Sequence, residues 1–75
     1  PYTHIVLDDG RQYKCKVIDM SLSGAAISLD VKPAIGAPVT FGKMRARVVR
    51  HFEGGVAVEF STVQNHETLD RHFGI

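Results

Sequence analysis

The sequence predicts an all-β fold, a small six-stranded antiparallel barrel with a short C-terminal α-helix. Apolar and polar residues alternate at a period of two along several segments, which is the side-chain period of a half-buried strand. Seven glycines and three prolines punctuate the chain, mostly between these segments, where they favour turns. A chain of 75 residues buries only about 60% of its unfolded surface, so we expect a single domain with one compact core.

The first three strands follow in order from the N-terminus. Tyr2 to Leu7 forms the first strand, and Asp8-Asp9-Gly10 supplies an Asp-Gly hairpin signal after it. The second strand ends near Val17, and its apolar residues alternate with polar ones, so we expect one face to pack in the core and the other to face solvent. The third strand, from Ala25 to Leu29, is nearly all apolar or small, as expected for a strand buried in a barrel.

A loop separates these strands from the rest of the barrel. Residues 30–38 contain two prolines and a glycine and form that loop, and Val39 to Phe41 makes a short fourth strand. Further along, Gly54-Gly55 closes a hairpin into a sixth strand over residues 56–60.

The long fifth strand carries a stripe of cations. Its apolar positions alternate with Lys43, Arg45 and Arg47, which we interpret as the solvated outer face of an antiparallel strand. The alternation breaks at Val49-Arg50. Such a break predicts a β-bulge, which would bend the strand around the barrel and re-aim Arg50 and His51.

A helix is predicted at the C-terminal end. Asn65 is a good N-cap residue, and Leu69 and Phe73 lie four residues apart and so share one helix face. We expect that face to plug one end or side of the barrel.

The segment Asp19-Met20-Ser21-Leu22-Ser23-Gly24 lies at the corner between the second and third strands. Asp19 offers a carboxylate acceptor, and the hydroxyl of Ser21 both donates and accepts hydrogen bonds. Gly24 adopts positive φ at little steric cost and has no Cβ to block a ligand. The combination suits a planar, donor-rich base joined to a phosphate. Alternatively, the same residues only reverse the chain, because Asp and Ser commonly bond their own backbone in turns.

The run Asp19-x-Ser21-x-x-Gly24, followed by Ala25-Ala26-Ile27, closely resembles the second signature motif of the PilZ domain family, whose members are bacterial receptors for cyclic di-GMP. The order of the strands, the strand over residues 54–60 and the closing helical segment also resemble that family's barrel. The resemblance implies that Asp19 and Ser21 contact a guanine or the adjoining phosphate, and that Gly24 shapes the corner. It also implies that cyclic di-GMP is a ligand and that no cofactor is needed.

One feature of the family is missing from this chain. Members that bind the dinucleotide tightly carry an Arg-x-x-x-Arg motif before the first strand, whereas Arg11 is the single arginine ahead of Asp19. A guanidinium bonds a guanine edge or a phosphate in two places at once. We therefore expect one of two situations. Residues 1–75 are a fragment of a longer chain whose arginines lie upstream, or the domain is divergent, does not bind the nucleotide and acts through protein contacts.

Other functional classes have little support in the sequence. The net charge of +1 is too small to drive nucleic-acid binding, and we expect most of the aromatic residues to face the core. The four histidines lack the spacing of a zinc site, and neither Ser21 nor Ser23 sits in a nucleophile elbow, so we expect neither a metal site nor an enzyme. The lone Cys15 reads as a small core residue. No apolar run reaches about 20 residues, so we expect a soluble, cytoplasmic domain.

Overall fold

The computed structural model describes residues 1–62 and residue 65. These residues form six antiparallel strands that close into a barrel in the order β1-β2-β3-β6-β5-β4. The strands are β1 (Tyr2–Val6), β2 (Gln12–Met20), β3 (Gly24–Ser28), β4 (Pro38–Phe41), β5 (Met44–Phe52) and β6 (Gly55–Phe60). The predicted all-β barrel is confirmed. The helix predicted after Asn65 lies outside the described residues.

The hairpin turns are those expected from the sequence. In the turn between β1 and β2, the backbone N–H of Gly10 donates to the carbonyl of Leu7 at 2.9 Å. Gly10 has φ +90° and Gly54, between β5 and β6, has φ +87°. Both values lie in the left-handed region that glycine adopts without a steric penalty, and this explains why glycine occupies both turns.

The second strand is longer than predicted. The sequence indicated an end near Val17, but β2 continues to Met20, and β3 begins already at Gly24. Asp19 therefore lies on a strand rather than in the corner. The turn itself consists of residues 21–23.

The core fills the inside of the barrel. The largest side chains with almost no exposure are Phe41, Ile5, Ile27, Val39, Val48 and Val56. The rings of Phe41 and Phe60 stack with centroids 6.1 Å apart. As predicted, Cys15 belongs to this core, and burial raises the pKa of its thiol to about 11. Among the described residues no polar or charged residue is buried.

The barrel closes along a short seam. Strands β1 and β4 pair only through Ile5 with Phe41 and Val6 with Thr40. The backbone N–H of Gly42 adds one bond to the carbonyl of His4, at 2.9 Å. By contrast, β3 and β6 pair through five residues each. The seam between β1 and β4 is thus the least paired boundary of the barrel.

The loop between β3 and β4 is fastened to the hairpin of β5 and β6. The ammonium of Lys32 donates to the carbonyls of Phe52 at 2.8 Å and of Gly55 at 2.6 Å. A ring nitrogen of His51 lies 2.6 Å from the carbonyl oxygen of Pro33. These contacts hold the loop against one end of the sheet formed by β5 and β6.

The outer surface partly follows the predictions. Lys43, Arg45 and Arg47 are exposed, as expected for a solvated stripe, although Lys43 lies in the turn before β5. Among the described aromatic residues, Phe41 and Phe60 are buried and Tyr13 packs against the core, whereas Tyr2 is 65% exposed. Within the part of the chain that the structure describes, no helix has the length and apolar character needed to cross a membrane.

Candidate functional site

Ser21 organises the turn between β2 and β3. Its hydroxyl oxygen accepts hydrogen bonds from the backbone N–H groups of Ser23 at 3.3 Å and of Gly24 at 3.2 Å. Its own backbone N–H donates to the carbonyl of Gly24 at 2.9 Å. The side chain remains exposed. Ser21 thus performs the turn chemistry expected of a serine at a corner while its hydroxyl stays within reach of a ligand.

Asp19 presents its carboxylate on the outside of β2. The oxygen Oδ1 accepts a hydrogen bond from the backbone N–H of Met20 at 2.9 Å, and the side chain is exposed. Asp19 makes no ion pair with any of the described residues. A carboxylate has about four lone-pair sites. Most of this acceptor capacity therefore faces solvent.

Gly24 does not have the positive φ that was one of the two reasons expected for a glycine here. Its φ is not positive, so left-handed backbone does not explain the glycine. A Cβ at this position would instead run into the carbonyl oxygen of Val58 on the neighbouring strand. Gly24 pairs with Glu59 of β6 and lets the two strands approach closely at the mouth of the turn.

A bulge in β2 sets the direction of Asp19. Alternation from the buried Cys15 and Val17 would place Asp19 inside the barrel. The pairing register shifts between Val17 and Asp19, so Ile18 is an extra residue. Both Ile18 and Asp19 are then exposed, and the carboxylate lies on the outer face. This bulge was not predicted.

A matching bulge in β5 does the same for Arg50. The register shifts between Val48 and Arg50, which leaves Val49 as the extra residue and confirms the predicted bulge. Val48 is buried, and Arg50 would face the core if the strand were regular. With the bulge, Val49 and Arg50 are both exposed. The guanidinium therefore belongs to the outer face.

The two bulged strands border the same surface. Asp19 pairs with Ala26 of β3, Ala26 pairs with Ala57 of β6, and Ala57 pairs with Arg50 of β5. Three strand spacings separate the two ends of this row, or about 14 Å measured along the curved sheet from Asp19 to Arg50. A carboxylate thus stands at one end, a guanidinium at the other, and two methyl groups lie between them.

This row forms the floor and ends of a depression of about 280 Å³, which we call the outer groove. Ser21 and Gly24 line it beside Asp19, so the structure brings all three predicted site residues to one edge. Val49 and Arg50 line the opposite edge. The groove is open to solvent and has room for a planar group lying over small side chains.

A second acidic residue also lines the groove. Glu59 is exposed and stands directly opposite Arg47 in the pairing of β5 and β6. Opposite charges in such cross-strand positions attract each other. The carboxylate of Glu59 is thus partly offset by a cation that does not itself line the groove.

Aromatic support lies behind Arg50. The guanidinium carbon of Arg50 is 5.4 Å from the centroid of the Phe52 ring, within the range of a cation–π contact. The ring packs over Gly55, where a Cβ would lie 2.8 Å from its tip. Lys32 is 5.9 Å from the same centroid, but its ammonium is already bonded to two carbonyls.

Sequence reasoning identified one edge of the outer groove and missed the other. The break in alternation at Val49 signalled that Arg50 changes direction, but nothing local shows that Arg50 lies in one row with Asp19, with two other strands between them. That juxtaposition depends on the register of three ladders. A comparable signal existed in β2, where Ile18 directly follows the core residue Val17.

No cluster of potential metal ligands exists among the residues that the structure describes. A comparison with protein-family models matches residues 1–73 to the family described as PilZ domain. No curated protein and no solved structure matches the chain. The match spans nearly the whole sequence, including all residues of the outer groove.

Proposed function

The chain belongs to the PilZ domain family, and from this membership we propose that it is a receptor module for cyclic di-GMP in the bacterial cytoplasm. The observation that carries the proposal is the position of Asp19, Ser21 and Gly24 along one edge of an open groove. The role is one of binding and signalling, without a catalytic step and without a cofactor.

Each of these residues has a chemical task in the proposed complex. The carboxylate of Asp19 accepts hydrogen bonds from the N–H donors of a guanine. The hydroxyl of Ser21 donates to a phosphate oxygen or accepts from the base. Gly24 has no side chain, so a ligand approaches its backbone without a clash. The alanine floor of the groove offers an apolar surface for the flat face of the base.

The other half of the site, in this proposal, is an arginine motif ahead of Pro1. Its guanidinium groups bond guanine edges or phosphates in two places. Ligand binding then orders the upstream segment against the barrel. Because those contacts exist only in the ordered state, the ligand shifts the population toward it and passes a signal to a neighbouring domain or partner protein.

The test is isothermal titration of cyclic di-GMP into residues 1–75 and into a longer chain extended upstream by about thirty residues, a length able to hold a disordered arm. We expect tight binding by the longer chain and feeble binding by the shorter one. Asp19→Ala in the longer chain should weaken binding about tenfold or more, the size of a charge-assisted hydrogen bond. Equal, tight binding by both chains would show that the missing half-site is wrongly assigned.

A second candidate is a PilZ domain that has lost its ligand and acts through protein contacts. It is favoured by the structural use of the Ser21 hydroxyl, which two backbone N–H groups already occupy. The exposed apolar side chains of Ile18 and Val49 also offer a contact surface. If neither chain binds cyclic di-GMP in the titration and Ser21→Ala loses stability, this candidate is favoured.

A further inference from the structure

We propose that Arg50 is the barrel's own anchor for a phosphate of the ligand, at the end of the outer groove opposite Asp19. The inference rests on the proposed function, because it names a further contact for the same ligand. It differs from the proposal above in placing a cation within the barrel itself rather than in an upstream segment.

The position of Arg50 is the first support. Arg50 lines the same depression as Asp19, Ser21 and Gly24 and lies in one row with Asp19 across four strands. A bulge at Val49 returns Arg50 to the outer face at this row. The groove therefore offers a carboxylate at one end and a guanidinium at the other. This polarity matches a ligand that has donor groups on its base and negative charge on its phosphate.

The availability of Arg50 is the second support. Arg50 forms no ion pair with any residue that the structure describes, and its guanidinium contacts the ring of Phe52. Lys32, the other cation at this ring, is committed to the carbonyls of Phe52 and Gly55. Arg50 is thus the cation at Phe52 that remains available to an anion.

The support from Phe52 also affects the strength of binding. The ring is half-buried against Gly55, so it offers a fixed surface on which the guanidinium rests. A planar guanidinium held in this way loses less conformational entropy when it bonds two phosphate oxygens. We therefore expect Arg50 to contribute as a bidentate fork and not only as a positive charge.

Glu59 argues against a simple electrostatic attraction. Its carboxylate lines the groove and repels a phosphate, although Arg47 stands opposite to it. An anion therefore gains most where it is farthest from the carboxylates and directly on a guanidinium. At the end formed by Val49 and Arg50 the anion is far from Asp19, but Glu59 stands only two residues from Ala57, the cross-strand partner of Arg50. Direct bonding to the guanidinium therefore has to outweigh the repulsion by Glu59.

The experiment is titration of cyclic di-GMP into the longer chain and three variants of it. Arg50→Gln removes both the positive charge and the guanidinium that bonds two oxygens at once. Arg50→Lys keeps the positive charge but not the guanidinium, and Arg45→Gln is the matched control. Arg45 is also exposed on β5, but it bonds the hydroxyl of Thr40 at 2.7 Å and does not line the groove. We expect about tenfold or greater loss in Arg50→Gln, a partial loss in Arg50→Lys and little change in Arg45→Gln.

A ³¹P spectrum of the bound ligand identifies the group that is contacted. We expect the phosphorus shift seen with the unmodified chain to diminish in Arg50→Gln and to persist in Arg45→Gln. Circular dichroism of each variant confirms that the barrel is folded.

The outcomes separate the two proposals. If the unmodified longer chain does not bind, both the proposed function and this inference are wrong. If it binds, Asp19→Ala weakens binding and Arg50→Gln does not, only the inference is overturned. Equal losses in Arg50→Gln and Arg45→Gln would also overturn it, because they would indicate a general effect of charge.

Discussion

At the scale of single residues, Ser21 and Arg50 illustrate two ways in which a side chain becomes available to a ligand. The hydroxyl of Ser21 is held by the backbone of its own turn, so its position is fixed before any ligand arrives. The guanidinium of Arg50 is held by an aromatic ring and keeps its N–H donors free of ion pairs with the described residues. Both arrangements reduce the freedom that binding would have to remove.

Cys15 gives a prediction at the same scale. Its side chain is 3% exposed, and burial raises the pKa of the thiol from the ordinary 9.0 to about 11. The folded state therefore retains a proton that the unfolded chain loses first. The contribution of the thiol to stability is fully present below pH 9 and should fall as the pH rises from 9 toward 11, by at most about 1.4 kcal/mol per pH unit.

The measurement is urea unfolding of the original chain and of Cys15→Ala between pH 7 and pH 11. The two chains differ only at position 15, so the difference between the two curves isolates the thiol. A difference in free energy of unfolding that stays constant with pH would contradict the prediction.

At the scale of elements, the two bulged strands and the two regular strands between them have different tasks. Strands β3 and β6 supply the small residues of the groove floor, whereas β2 and β5 supply its charged ends. The close approach of β3 and β6 depends on Gly24, whose missing Cβ leaves room for the carbonyl of Val58. The spacing between β3 and β6 therefore depends on the glycine at position 24.

We predict that Gly24→Ala lowers the free energy of unfolding by about 2 kcal/mol, because the added methyl group forces the two strands apart. The effect should be local. The backbone N–H of Phe60, which donates to the carbonyl of Ser23 at 2.8 Å, should exchange with deuterium faster in this variant.

Gly36→Ala is the matched control. Gly36 has φ +89° and open space around it, so alanine there introduces backbone strain without separating strands. Phe60 exchange should be unchanged in Gly36→Ala. Accelerated exchange of Phe60 in both variants would indicate general destabilisation and would contradict the proposed role of Gly24.

The elements also show how far sequence reasoning reaches. Alternation and turn residues predicted all six strands and the bulge at Val49, because these signals lie within a few neighbouring residues. The length of β2 was missed, since Ile18 and Asp19 interrupt the alternation although the strand continues. The placement of Asp19 and Arg50 in one row was missed because it is set by pairing among four strands. The edge of the groove formed by Asp19, Ser21 and Gly24 was predicted from residue types. The opposite edge, formed by Val49 and Arg50, depends on tertiary structure.

At the scale of the whole molecule, the stability of the barrel depends on one core and on its closure. Ile5 belongs to both, because its side chain has no exposed surface and its backbone pairs with Phe41 across the seam of β1 and β4. That seam has the fewest pairs of the barrel's ladders. A small domain has only about 5–15 kcal/mol of total stability, so damage at this position matters for the entire fold.

We predict that Ile5→Ala lowers the free energy of unfolding by about 2–5 kcal/mol, the cost of a large-to-small change in a core. Ile35→Ala is the matched control, because Ile35 is 57% exposed and should cost less than about 0.5 kcal/mol. Chemical unfolding followed by circular dichroism measures both. Similar losses in the two variants would show that the closure does not depend on Ile5.

The bulges have one more consequence, which concerns changes in chain length. β2 and β5 each contain one residue more than their ladders need. Loss of a single residue from either strand is therefore absorbed when the bulge straightens, and the inner and outer faces keep their identities. β3 and β6 have no surplus in their shared ladder, so the same loss would exchange their faces. The strands at the two edges of the groove, β2 and β5, thus tolerate a deletion, whereas β3 and β6, which form its floor, do not.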